Sequence, residues 1–253
     1  MNYTYIHSGQ RPFFNLKTRG GVEVTGVRPA DHPWHTGLSL AIAHVGAANF
    51  WGGPTFVRGQ GYRQLPNNGT IRHDGFEERT AAGFRERLSW ITEQGERVAT
   101  ELRTVETATH EDHWTLDFGT EIANATRTSL IFGSPTTNGR PDAGYGGLLW
   151  RGPASFTGGK VFGARMGELS PWLGFVTPQA TLVFIAPAPT WWFVRSEPFA
   201  AVCPAPFFHE ETTLRAGEVL RLRYRVVIAD GAWDETRIRA CSPPVVGGLF
   251  SGE

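Results

Sequence analysis

Thirty-one glycines and 17 prolines punctuate the 253 residues from end to end, and the runs between them are short and alternate with a period of two. Such alternation puts successive side chains on opposite faces of an extended chain, and Gly and Pro supply the turns. The pattern is that of many strands joined by tight connections, not of helices. Residues 3–7 and 12–16 read as short strands, Gly20-Gly21 as a turn and residues 22–25 as a further strand. Residues 37–45 are apolar on both sides, which suits a central strand covered on both faces. Residues 70–80, 84–94, 97–109 and 112–124 read as four consecutive antiparallel strands turning at Gln94-Gly95 and Glu111-Asp112. Within them Thr100–Thr107 alternates polar and apolar, so one face of this meander is wet. Strands are also predicted at 172–176, 181–186, 191–195 and 219–228, a short helix or strand at 160–166, and a helix only over 234–241.

The chain is 40% hydrophobic, enough for a sizeable core. No repeat, low-complexity tract or linker divides it, so a single β-sandwich domain over 1–253 is expected. The 24 basic and 24 acidic residues balance, which argues against a nucleic-acid footprint or a basic membrane surface. No run approaches 18 apolar residues, so no membrane span is expected. Cys203 and Cys241 are too few for a disulfide framework, and residues 1–7 lack the charged start and apolar stretch of a signal peptide, so the expected compartment is the cytoplasm. Apart from Lys17 and Lys160 the basic residues are arginine, the better fork for carboxylates and hydroxyl-rich ligands.

Chemistry concentrates between Arg28 and Pro54. Arg28, Asp31, His32, Trp34 and His35 crowd one Pro-rich loop, and Asn49, Trp51 and Gly52-Gly53 crowd the next. A core needs no such mixture, whereas a polar pocket with an aromatic wall does. His32 and His35 suit general acid–base work, since imidazole titrates near neutrality. Alternatively they are metal ligands completed by Asp31, His209 or Glu210, although Pro33 removes any helical spacing between them. Sugar rings stack on aromatic faces while Arg, Asp and Asn read their polar edges, so Trp34, Trp51, Tyr145 and Trp192 are candidate substrate contacts, with Arg58, Arg151 and Arg195 beside them. Glu197 and Glu210 compete as the base, each in a loop before the last long strand; His73, in Arg72-His73-Asp74, and His209 are further candidates for the site.

Taken together, Arg28-Pro-Ala-Asp-His-Pro-Trp-His-Thr-Gly-Leu38, Asn49-Phe-Trp-Gly52, Gly144-Tyr-Gly-Gly-Leu-Leu-Trp-Arg151, Trp192-Phe-Val-Arg195 and Pro206-Phe-Phe-His-Glu210, with Leu-x-Ala-Gly-Glu218, resemble a soluble bacterial family labelled methane oxygenase PmoA-like. The oxygenase that the label names is a membrane protein, and with no span here its activity is not carried over. The strand pattern and closing Leu-x-Ala-Gly-Glu218-x-Leu-x-Leu-x-Tyr-Arg225 also resemble the galactose mutarotase-like super-sandwiches, which act on or bind sugars. That resemblance implies an all-β antiparallel super-sandwich. In its epimerases a histidine protonates the ring oxygen and a glutamate takes the anomeric hydroxyl proton. Glu197-Pro198 matches their Glu-Pro, and His32 or His35 would be the acid. Their mid-chain Asn-His-x-Tyr-Phe motif has no counterpart, since Asn138–Tyr145 holds no histidine.

The expectation is an all-β protein with a concave face lined by segments 28–36, 50–63, 138–151 and 192–210. Its function would be an epimerase- or lyase-type reaction on a small-molecule carbohydrate by His/Glu chemistry, with no cofactor. The alternatives are a non-catalytic sugar-binding or structural subunit and a metal enzyme. Nothing in the sequence selects the sugar or the oligomeric state.

Overall fold

The structure, a computed structural model, describes residues 2–242. Its centre is a 13-stranded antiparallel sheet. The path runs Tyr3–Ile6, Phe13–Leu16, Leu38–Ile42, Gly146–Arg151, Ala201–Pro204, Ala180–Arg195, Val219–Asp230, His113–Asn124, Arg97–Thr109, Gly83–Ile91 and Thr70–Arg79. Leu169–Val176 and Lys160–Phe162 branch off the long strand Ala180–Arg195.

That long strand is the seam of the molecule. Ala180–Ile185 pairs with Val219–Asp230, whereas Trp192–Arg195 pairs with Ala201–Pro204. Between the two pairings stand Pro187 and Pro189, which have no N–H to give a ladder, and the register against Leu169–Val176 shifts between Ser170 and Trp172. The sheet turns over here. Its two ends then face each other: Tyr3 stacks on Trp114 with ring centroids 6.3 Å apart, and Tyr5 stacks on Phe84 at 4.7 Å. The core lies between these layers, with Phe14, Leu40 and Trp150 from one and Trp90, Phe118 and Phe184 from the other, all essentially inaccessible to solvent.

Strand parity decides what the first layer shows on its other side. Leu38, Leu40, Ile42, Leu148, Trp150, Trp192 and Val202 point into the core, so Ala41, Leu149, Phe193, Ala201 and Cys203 point away from it and form a second apolar cluster under the loops. Trp192 therefore points into the core and does not line the outer face, contrary to expectation. It is fully buried and its indole N–H donates to the Ser170 carbonyl at 2.8 Å, while its neighbour Phe193 takes the outer face.

The all-β antiparallel class expected from the sequence is the one observed, and the meander of residues 70–124 forms within a few residues of its expected bounds. Residues 22–25 form no strand, only an isolated bridge between Lys17 and Glu23. The expected strands at 181–186 and 191–195 are one continuous element. Lys160–Phe162 resolves as a strand, and the helix Glu235–Ala240 is capped by Asp234, whose carboxylate accepts from the Arg237 N–H at 2.8 Å. Among the described residues no helix is long and apolar enough to cross a membrane.

Candidate functional site

The outer face of the first layer carries small side chains at Ala41 and Ala201, which leave room above the sheet. Four loop segments close over that space and leave a cavity of about 390 Å³. Its floor is Leu149, Phe193, Arg195 and Ala201, and its walls come from residues 32–35, 51–62, 140–145 and 198–199. The size suits a small organic ligand.

Two loops are tied to each other by a buried arginine. Arg11 donates to the Trp34 carbonyl at 2.8 Å, to the Trp51 carbonyl at 2.8 Å and to the Ser39 hydroxyl at 3.1 Å. Burial lowers its pKa to about 9, so the guanidinium stays charged at neutral pH. Asn49 shapes the second loop: its side-chain oxygen accepts from the Trp51 and Gly52 N–H groups at 2.9 and 3.0 Å. Trp34 rests on Gly53, where an added Cβ would stand 2.6 Å from the indole and φ is +67°. Trp51 packs on Tyr145 at 4.4 Å, and Tyr145 meets the edge of Phe193 at 5.4 Å, completing an aromatic wall. The hydroxyls of Tyr145 and Tyr62 are 2.8 Å apart, and Arg140 donates to the Tyr62 hydroxyl while lying over its ring.

The opposite wall is polar. His32 Nδ1 lies 2.7 Å from Asp31 Oδ2, and Arg151 grips the same carboxylate with bonds of 2.9 and 3.0 Å. Burial alone would raise the Asp31 carboxyl, but the bonds from His32 and Arg151 outweigh it and hold its pKa at about 2. The Arg151 guanidinium also lies 4.0 Å from the centre of the Phe199 ring. His35 stacks on His32 at 4.7 Å but is buried, and burial, reinforced by His32, Arg11 and Arg151, lowers its pKa to about 2. His35 is thus a neutral imidazole.

That neutrality has a measurable consequence. In the unfolded chain His35 takes up a proton near pH 6.5, whereas in the folded chain it stays neutral until about pH 2. The stabilising contribution is therefore complete above pH 6.5 and falls as pH drops, by roughly 1 kcal/mol per pH unit. The denaturant midpoint is expected to fall between pH 7 and pH 5, and His35→Gln should flatten the fall; an equal slope in both proteins would refute the assignment. His44, lowered by burial to about 4, and His7, lowered by burial and by His73, both add to the slope that remains.

Of the residues singled out from the sequence, His32, Trp34, His35, Trp51, Tyr145 and Arg195 line the cavity, with Asp31 and Arg151 directly behind. Others lie elsewhere. Arg28 is exposed and sits at φ +49° beside Gly9. Arg58 is exposed and donates to the Thr137 carbonyl at 3.2 Å. Glu197 is exposed against Gly158, and only its neighbour Pro198 reaches the cavity. His209 and Glu210 are exposed; His209 packs edge-on to Trp191 at 4.5 Å and neither lines the cavity, so they do not join His32 and His35 in a ligand set. Neither of the glutamates weighed as a base is a lining residue. Arg11 lies outside every segment expected to line the face, and Tyr62, Arg140, Phe193 and Phe199 fall within those segments without an individual mark in the sequence, save that Phe193 shares strand parity with Arg195.

His73 belongs to a different cluster, beneath the opposite layer. Its Nδ1 lies 2.5 Å from Glu86 Oε2, and its ring stacks on His7 at 4.1 Å. His7, His73 and Glu86 place ligand atoms within 4.8 Å of one another. The same Glu86 lies 3.8 Å from the buried guanidinium of Arg103, which already supplies a positive charge there.

A family model described as "Family of unknown function (DUF6807)" matches residues 1–242. No curated protein matches the chain. Similar solved structures include the GH36 α-galactosidase AgaA from Geobacillus stearothermophilus in complex with raffinose, with 11% identity, a TM-score of 0.47 and coverage of 91% of this chain and 41% of that one. A polysaccharide lyase is 12% identical with a TM-score of 0.40, covering 91% of this chain and 33% of the lyase. A protein from Escherichia coli K12 described as an aldose 1-epimerase is 10% identical with a TM-score of 0.40, covering 91% and 99%. The chain thus spans less than half the length of the first two.

Proposed function

Since the chain belongs to the DUF6807 family of unknown function, we propose a function from its cavity: a carbohydrate-active protein that moves a proton on a bound sugar, in an epimerase- or lyase-type reaction. One observation carries this. A cavity walled by Trp34, Trp51, Tyr145 and Phe193 opens onto a histidine whose ring is held by a carboxylate. Aromatic faces suit the C–H faces of a sugar ring, and the Asp31–His32 bond suits an imidazole that must keep one orientation while protons pass.

The roles follow from the bonds. Asp31 accepts from His32 Nδ1, which leaves Nε2 as the nitrogen that can take a proton from the sugar and return it: to the departing oxygen as a C–O bond breaks in a lyase-type step, or to the opposite face of the same carbon after the deprotonated intermediate turns over in an epimerase-type step. Asp31 itself stays ionised because His32 and Arg151 hold it so. The His/Glu pairing expected from the sequence becomes a His32–Asp31 pair in this reading. The PmoA-like label enters only as a likeness of motifs.

A second reading, a sugar-binding module without turnover, is favoured by the lack of any aspartate or glutamate among the cavity's lining residues. A panel of aldoses and uronates separates the two. Thermal stabilisation by a sugar together with anomer exchange or a new product by NMR supports the enzyme. Stabilisation without product supports the binding module, and no stabilisation by any sugar overturns both.

A further inference from the structure

We propose that the ligand of this cavity is an anionic sugar, carrying a carboxylate or a phosphate, rather than a neutral one. The inference rests on the sugar-binding reading above and adds the ligand's charge. Two independent observations carry it.

The first is uncompensated positive charge. Arg195 lines the cavity, and its guanidinium, which lies over the Phe193 ring, makes no hydrogen bond or ion pair among the described residues. Arg140 lines it too, and its partners are neutral phenols: the Tyr62 hydroxyl and ring, with Tyr145 beyond. Arg11, wholly buried behind Trp34 and Trp51, is held by backbone carbonyls, Ser39 and Gln10, and by no carboxylate. Asp31, directly behind the cavity wall, is already occupied by Arg151 and His32. Two guanidinium groups therefore line the cavity and a third lies behind its aromatic wall, and no carboxylate is among the lining residues. Such an arrangement costs a folded protein, and a bound anion offsets it.

The second is the kind of hydrogen-bonding group left over. A guanidinium only donates, so the 3.4 Å contact between Arg151 Nη1 and His35 Nδ1 requires a lone pair on Nδ1 and puts the imidazole proton on Nε2. That Nε2–H is buried without a partner, and so is the Arg151 Nε–H behind it. His35 lines the cavity with Arg195, and Arg151 lies directly behind it, so this side of the site is short of acceptors. A sugar hydroxyl brings a donor along with its two acceptor lone pairs, whereas a carboxylate or phosphate brings only acceptors, charged and in a spacing that an arginine fork can grip with two bonds.

Calorimetric titration of the full chain tests this with matched ligands: glucuronate and galacturonate, glucose 6-phosphate and galactose 6-phosphate, glucose and galactose, and citrate as an anion that is not a sugar. At least one acid is expected to bind roughly tenfold or more tightly than its neutral parent, with an advantage that shrinks as salt rises. Arg195→Gln should erase the advantage, and Arg140→Gln serves as a second variant should the first fold poorly. Which acid binds, uronate or phosphate, identifies the anionic group. A neutral parent that binds as tightly as its acids overturns the proposal and leaves the sugar-binding reading standing. Binding of citrate with no binding of any sugar overturns that reading and the sugar part of the proposal with it, and silence from all seven overturns both.

Discussion

Replacing Arg103 with methionine is expected to lower the free energy of unfolding by about 3–5 kcal/mol, the cost typical of breaking a buried ion pair from one side. Arg103 is buried in the core layer of the meander, where its Nε donates to Glu101 at 2.8 Å and its Nη1 to the Tyr5 hydroxyl at 2.8 Å. Glu86, whose carboxylate lies 3.8 Å away, is fully buried, as is Glu101. Burial works to lower the Arg103 pKa, but Glu101, Tyr5 and Glu86 together raise it. Burial likewise raises Glu86, against the pull of Arg103, Tyr5 and His73. The methionine variant would leave two carboxylates in the core with no cation between them. Removing all three charges, with Glu86→Gln and Glu101→Gln added, should recover most of the loss, because the penalty lies in the unpaired charge rather than in the missing contact. Denaturant titration at neutral pH measures both steps. A loss below about 1 kcal/mol in the single variant would mean that water reaches the network, and the reading of it as a sealed core element would be wrong.

Replacing His32 with alanine is expected to reduce turnover of the sugar found by the panel by roughly 10²- to 10⁴-fold, the usual contribution of a positioned general acid or base. The fold should survive. His32 is only half-buried, and the loop around it is held by backbone bonds that do not use its side chain, such as Arg28 N–H to the His35 carbonyl at 2.8 Å and Arg11 to the Trp34 carbonyl. The loss should appear in kcat more than in KM, since the aromatic wall that holds the sugar is untouched. Asp31→Asn should give a smaller loss of the same kind, because it keeps the shape but not the charge that orients the ring. Glu197→Ala is the informative control. Glu197 stands in solvent against Gly158, so its removal should leave turnover near the parent value. Turnover undiminished in His32→Ala, or abolished in Glu197→Ala, would return the proton transfer to the carboxylate that the epimerase resemblance implies.

The charged network explains where one sequence reading went astray. His73 is a site candidate by residue type, but in the strand Thr70–Arg79 alternation turns it towards Glu86 beneath the first strand and away from the cavity. Parity explains another. Trp192 and Phe193 are equally plausible ligand contacts by residue type, and a one-residue shift exchanges core for cavity. Knowing that Trp192 faces inward requires knowing which layer covers the strand Ala180–Arg195, and that depends on Ala201–Pro204 pairing with its final residues.

The all-β class, the meander of residues 70–124 and the two polar–aromatic loops at 28–36 and 49–54 are legible along the chain, because alternation, turn residues and the mixture of His, Trp, Asp and Gly are local properties. Which of those groups meet depends on contacts between distant parts of the chain. Asp31 and Arg151 are 120 positions apart and Tyr62 and Tyr145 are 83 apart, and Arg11, with nothing around it to mark it, joins the carbonyls of Trp34 and Trp51. The physical reason is that a sheet brings residues together by strand pairing and layer closure. Both are set by the summed burial of the whole core, while the chemistry of a site depends on a few ångströms between side chains that local pattern does not encode.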